Sequence, residues 1–187
     1  MRKFVIGGGP HTGKTTLLEA LRAEMPKDIA HFIPEPAGIL IRAELARQAA
    51  VKSYTAVLPT NNYPAFVTRA IAKSVELEGE IPADATTTVQ DRSLIDNVGY
   101  ARYHGHSDLV PTIQPHIRAA DYAAILLCDF VGTYEQTQFR MGNEEYAHQV
   151  HGQLVVAYKE SGVPVVSAPP VSVPERVELA MEAMSSF

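Results

Sequence analysis

Residues 7–16 read GGGPHTGKTT, directly after the apolar run Phe4-Val5-Ile6. Three glycines and a proline followed by Gly-Lys-Thr-Thr are more backbone freedom than a tight turn needs. Gly8-x-x-x-x-Gly13-Lys14-Thr15 fits the phosphate-loop (Walker A) pattern GxxxxGK[ST]. Each part has a physical reason. The glycines let successive backbone N–H groups turn inward around a phosphate. A helix beginning near Thr15 adds the positive end of its dipole. The Lys14 ammonium neutralises charge between β- and γ-phosphates, and the Thr15 hydroxyl is a ligand for Mg²⁺. The expected nucleotide-binding stretch is Gly8, Gly9, Pro10, His11, Thr12, Gly13, Lys14, Thr15 and Thr16.

The rest of the chain supplies the setting this loop requires. Short apolar runs at Lys3–Gly7, Ala30–Pro34, Thr87–Gln90, Tyr122–Cys128 and Pro164–Ser167 alternate with helix-length segments. This is the pattern of a parallel sheet covered on both faces. Leu17, Leu18, Leu21 and Met25 recur at helical spacing up to Pro26, and Tyr63, Phe66, Val67, Ala70, Ile71 and Ser74 do so up to Gly79. Ala147, Val150, Leu154 and Ala157 form a third stripe, ending at Gly162. Ser172-Val-Pro-Glu175 predicts a capping box opening a last helix that buries Val177, Ala180, Met181 and Met184. Val51–Pro59 fits neither period. Phe130–Gly142 is long, polar and glycine-bearing, a candidate mobile loop.

Bulk properties narrow the class. The 187 residues suit one domain spanning 1–187, and a 46% hydrophobic content is enough for a sizeable core. A net charge of -5, with both signs interspersed, argues against a protein that coats nucleic acid. Cys128 stands alone in an apolar run and reads as a buried thiol. No apolar stretch approaches the ~18 residues that span a bilayer, and Gly7 follows too soon for a secretory signal. The expected setting is the cytoplasm.

In open parallel sheets, ligands gather at the strand ends. The second strand ends at Glu35, the third at Asp91-Arg92 and the fourth at Asp129. A carboxylate beside an arginine at such an end suits phosphoryl transfer to a small molecule: the carboxylate orients Mg²⁺ or takes the acceptor's proton, and the arginine holds a phosphate or fixes the acceptor. Other readings are open for these residues. Glu35 and Asp91 could each cap the helix that follows. Asp129 follows a Walker B-like strand, although Asp91 is preferred for the metal. Arg42 and Arg69 fall on helices and are expected to face solvent. His104-Gly105-His106 is expected to be a surface loop, and His148 and His151 to serve helix surface or core packing. No Asn-Lys-x-Asp motif supports guanine specificity.

GGPHTGKTTLLEAL (8–21), IPEPAGILIR (33–42), QDRSLIDNVGYARYHG (90–105) and EEYAHQVHGQLVVAYKESGVPVVSAPPVSVPERVELAM (144–181) together resemble the small AAA-type ATPases related to the ribosylnicotinamide kinase domain. The Glu-Pro and Asp-Arg elements also resemble those of thymidylate and deoxynucleoside kinases. The resemblance implies a three-layer αβα P-loop fold with a five-stranded parallel sheet, and an ATP- and Mg²⁺-dependent kinase of nucleoside- or nucleotide-like acceptors. It implies Gly8, Gly13, Lys14 and Thr15 on ATP and Mg²⁺, Glu35 and Asp91 near Mg²⁺ and the acceptor, and Arg92 on the acceptor or a phosphate. It makes the segment after the fourth strand a lid. Relatives carry several lid arginines there, whereas Arg140 is the only arginine between Asp129 and Lys159. That sparseness favours the alternative, a regulatory ATPase that signals to a protein partner.

Overall fold

The computed structural model describes residues 1–26, 30–131 and 143–187. The five expected strands form: β1 (Arg2–Gly7), β2 (Ala30–Ile33), β3 (Thr87–Asp91), β4 (Tyr122–Cys128) and β5 (Val165–Ala168). They make one sheet in the order β2-β3-β1-β4-β5, and every pairing is parallel. The phosphate-loop strand β1 is therefore central, with β3 on one side and β4 on the other.

Helices α1 (Lys14–Glu24), α2 (Pro36–Ala50), α3 (Tyr63–Gly79), α4 (Leu94–Tyr103), α5 (Val110–Ala120), α6 (Glu144–Glu160) and α7 (Val173–Ser186), with a 3-10 turn at Ser107–Leu109, complete the described elements. Alternation along the strands separates two cores. Val5, Ile125 and Leu127 join residues of α3, α4, α5 and α6 on one face. Phe4, Ile6, Ala124 and Leu126 join residues of α1 and α7 on the other. This is the three-layer αβα arrangement. Burying each large aliphatic side chain contributes about 1.5–3 kcal/mol, so the paired cores dominate the stability of the fold.

Local chemistry explains the boundaries. Ser93 caps α4 and Ser172 caps α7, each in a full capping box with Asp96 and Glu175 respectively. Asn62 and Asn143 cap α3 and α6 through their side chains. Helices α4 and α6 pack unusually close: a Cβ on Gly99 would lie 2.8 Å from Leu154 Cδ2 and 3.0 Å from its Cα. That contact seats α6 beside the phosphate loop.

One open stretch is resolved, and one expectation needs correction. Val51–Pro59 forms no regular element but is tied down as a strap. Buried Glu44 of α2 accepts hydrogen bonds from Tyr54 Oη and, at 2.7 Å, from Val57 N–H. Arg69 of α3, exposed as expected, also pairs with the same carboxylate at 2.8 Å. The stripe on α7 is partly turned: Ala180 and Met184 are buried and Val177 packs half-buried against the core as expected, but Met181 is 37% exposed, and Arg176 and Ala183 are buried as well. An arginine takes the core-facing place because it has a polar partner within, described below. Cys128 is buried as expected, and burial pushes its thiol up in pKa.

Candidate active site

The loop between β1 and α1 wraps around a buried lysine. Lys14 Nζ donates to the Gly9 carbonyl at 2.6 Å and to Thr12 Oγ1 at 3.3 Å. Thr12 Oγ1 also donates to the Gly9 carbonyl, at 2.9 Å. Burial, then the nearby Arg92 charge, brings the Lys14 ammonium down to about 8, against an opposing pull from Asp91. Thr15 and Thr16 are exposed and line the cleft outside the loop.

Two α6 side chains hold the loop from behind: His151, expected to serve packing, and Tyr158, which the sequence reading does not single out. His151 Nδ1 accepts the Gly9 N–H at 3.1 Å. Tyr158, fully buried, accepts the Gly8 N–H at 3.3 Å and donates to Asp96 Oδ1 at 2.8 Å. Their seven-residue spacing on one helix was the available signal, since it places both on one face. Burial lowers the His151 pKa, favouring the neutral ring that can accept this bond.

The ends of β2 and β3 bring the predicted Glu35, Asp91 and Arg92 together. Arg92 takes a left-handed backbone, φ 67°, and its N–H donates to the Ile6 carbonyl at 3.1 Å. Its guanidinium is then gripped on several sides. Nε meets Glu35 Oε1 at 2.6 Å, and Nη1 meets Asp96 Oδ1 at 3.2 Å and the Gly8 carbonyl at 3.3 Å. The ring of Tyr100 lies below it, 5.4 Å from the centroid. The capping readings fall away here. Glu35 makes no side-chain cap bond because Arg92 takes its carboxylate, and Ser93 rather than Asp91 caps α4. Asp91 is left near Lys14 and Glu35. Burial and the Glu35 charge raise its carboxyl to about 6, against the lowering pull of Arg92 and Lys14.

A cleft of about 810 Å³ joins these parts. It runs from residues 10–16 of the loop past Glu35, Asp91 and Arg92 to an end lined by Leu58, Tyr63, Phe66, Tyr100, His104 and Tyr146. The expected surface-loop histidine His104 stacks on Tyr63, with centroids 4.7 Å apart, because the turn after α4 folds it over the cleft wall. Arg42, expected to face solvent, is exposed and lines the same cleft. Asp129 does not line it. It stands beyond β1, about half exposed, with its carboxylate 3.9 Å from His151 Nε2. Arg140 and all but the first two residues of the expected lid lie outside the described residues. Among the described residues, no group of three or more His, Cys, Asp or Glu is arranged to hold a metal, and no helix is long and apolar enough to cross a membrane.

A glycine-rich loop leaving the central strand of a parallel αβα sheet, with an acid–arginine group on the adjoining strand end, defines a P-loop protein of the nucleotide-kinase-like fold. The chain belongs to the AAA domain family AAA_28, which it matches over residues 3–176. No curated protein matches it in sequence. Among solved structures, it is similar to a NadR protein in complex with NAD and AMP-PNP, with a TM-score of 0.72 and 18% identity over 100% of this chain and 49% of that one. The chain thus spans about half the length of that protein. It is also similar to the thymidylate kinase of Candida albicans, with a TM-score of 0.64 and 13% identity over 99% of this chain and 91% of that one. For the thymidylate kinase of Ehrlichia chaffeensis the TM-score is 0.65 and the identity 12%, over 98% of each chain.

Proposed function

We propose that the protein transfers the γ-phosphoryl group of ATP to a small nucleoside- or nucleotide-like acceptor. The observation that carries this reading is the continuous cleft: the phosphate loop, the Asp91–Arg92–Glu35 group and a largely apolar, aromatic end share one space. A volume of about 810 Å³ falls in the range of small-molecule sites, and planar rings suit its aromatic walls.

The roles follow from chemistry. Backbone N–H groups of residues 11–14 and the N-terminus of α1 would receive the phosphates. Lys14 would leave the Gly9 carbonyl for the oxygens between β- and γ-phosphorus. The acceptor hydroxyl oxygen attacks the γ-phosphorus, the bond to the β,γ-bridging oxygen breaks, and ADP departs. The hydroxyl proton passes to the Asp91 carboxylate, which with a pKa of about 6 is ionised at neutral pH yet still basic enough to help. Arg92, held by Glu35 and Asp96, orients the acceptor or its phosphate. Arg140 is proposed as the lid charge that follows the departing phosphoryl group.

The donor set fits Mg²⁺. Glu35 and Asp91 repel each other enough to help raise Asp91, and a cation beside them relieves that repulsion. Thr15 and Asp91 would hold the ion, directly or through water, and few protein ligands are needed where phosphates supply the rest. When bound, it neutralises phosphate charge.

The experiment is ADP release measured with and without a panel of nucleosides, nucleotides and vitamin-like ribosides. Stimulation by an acceptor that gains a phosphate supports the reading. Stimulation only by a protein partner would support the regulatory ATPase instead. A pH series adds a second check. The value of kcat/KM for ATP should rise as Asp91 loses its proton near pH 6 and fall as Lys14 loses its own above about 8. At saturating ATP the alkaline limb should move upward, because bound phosphates hold Lys14 protonated. A flat profile across both limbs would contradict these assignments.

A further inference from the structure

The core-facing stripe of α7 begins with a charge. Arg176 is 3% exposed and occupies the place an apolar residue would fill before Ala180, Ala183 and Met184. Its two terminal nitrogens both donate to one acceptor, the Thr12 carbonyl of the phosphate loop, each at 3.0 Å. Among the described residues no carboxylate lies within ion-pair distance of it. Its buried Nε has no hydrogen-bond partner there either.

This is a costly arrangement if it serves only packing. A buried cation with no counter-charge among the described residues pays desolvation that a neutral carbonyl and the neighbouring Cys128 thiol do not fully return. The charge reaches the strand ends, since it opposes the burial effect that raises the Cys128 thiol. Its position relative to the loop is also specific. An ideal Cβ on Gly13 would sit 2.7 Å from Arg176 Nη1, and Gly13 has φ 70°. Thus the second glycine of the loop is required both by its left-handed backbone and by the guanidinium packed against it.

We propose that Arg176 is a positioning residue for the nucleotide phosphates, acting from behind the loop. The inference rests on the reading of residues 8–15 as a phosphate site. In a trans peptide the C=O and the following N–H point in opposite directions. By holding the Thr12 carbonyl with two N–H groups, Arg176 turns the Gly13 N–H away from α7, toward the cleft that Gly13 lines. Its uncompensated charge adds to the field that draws an anion there, and the ligand's phosphates supply the missing counter-charge.

The test compares Mg·ADP affinity by calorimetry in the wild type, Arg176→Met, Arg176→Lys, Lys14→Ala and Glu178→Gln, the last an exposed change on the same helix. Thermal melting of each is recorded alongside. Arg176→Met, which sheds a buried charge but leaves the Thr12 carbonyl unpaired, should stay folded with at most a modest fall in melting temperature yet bind Mg·ADP at least ~10-fold more weakly, the scale of one charge-assisted contact. Arg176→Lys, keeping the charge but not the fork, should recover part of the loss, and Glu178→Gln should bind within about twofold of the wild type. A merely structural arginine predicts the reverse split: lower melting temperature and unchanged affinity per folded molecule. If folded Arg176→Met binds like the wild type while Lys14→Ala does not, this proposal falls and the phosphate-loop reading stands. If the wild type itself does not bind Mg·ADP, both fall. Should Arg176→Met fail to fold, Arg176→Lys decides: unchanged affinity overturns the proposal, and a weakened one supports it.

Discussion

Lys14→Ala should remove nearly all ATP-dependent turnover, on the order of 10³-fold, while leaving the protein as stable as before or more so. The two halves of this expectation have one cause. Lys14 is buried, and burial brings its pKa down to about 8, so the fold disfavours the charge it keeps at neutral pH. Truncation relieves that cost. It also removes the ammonium that can reach the phosphates from inside the loop. The nearby arginines are poor substitutes: Arg92 is gripped by Glu35, Asp96 and the Gly8 carbonyl, and Arg176 is engaged with the Thr12 carbonyl. Steady-state turnover and thermal melting, measured on the same preparation, check both halves. Turnover near the wild-type rate in the folded variant would contradict the assignment of Lys14 to the phosphates.

The second large effect separates two aspartates. Asp91→Asn should cut turnover by about 10²-fold or more, within the range for a positioned acid–base group. Asp129→Asn should change it by no more than about threefold, as expected of an exposed group outside the reacting cleft. Asp91 lines the cleft between Lys14, Glu35 and Arg92, and its carboxyl is raised to about 6. Asp129 ends β4 on the opposite side of β1 and faces His151 rather than the cleft. The asparagine keeps Asp91's shape while removing both its charge and its basicity. Parallel measurement of ATP affinity shows whether the loss lies in turnover, as proposed, or in nucleotide binding. The opposite ranking of the two variants would place the metal-orienting carboxylate at the end of β4.

The elements closest to the chemistry were legible because their signals are local. The loop at 8–15 combines a glycine pattern, a preceding strand and a following amphipathic helix within a short stretch. Glu35, Asp91 and Arg92 stand out as candidates by their position at strand ends, and the sheet order brings them together. What surrounds them was hidden, because it depends on how distant helices are rotated. His151 and Tyr158 reach the loop only because α6 packs against Gly99 of α4 with both side chains on its inner face. Asp96 carries no signal beyond that of a first-turn acid, yet it completes the capping box of α4, receives the Tyr158 hydroxyl and holds Arg92 at once. On α7, hydropathy alone extends the stripe to Met181, whereas the Thr12 carbonyl gives Arg176 a reason to face inward beside Val177. Val51–Pro59 had no period to read because a single carboxylate, Glu44, organises it through side-chain contacts.

The central claim is that the phosphoryl group goes to an acceptor and not to water. The most direct measurement supplies ATP with heavy-oxygen-labelled γ-phosphate together with the acceptor panel, and follows the label by mass spectrometry. The proposed transfer predicts that one nucleoside- or nucleotide-like compound gains the three labelled oxygens of the γ-phosphoryl group in step with ADP formation, with little label in inorganic phosphate. Label appearing only in inorganic phosphate, at a rate no acceptor alters, would contradict it.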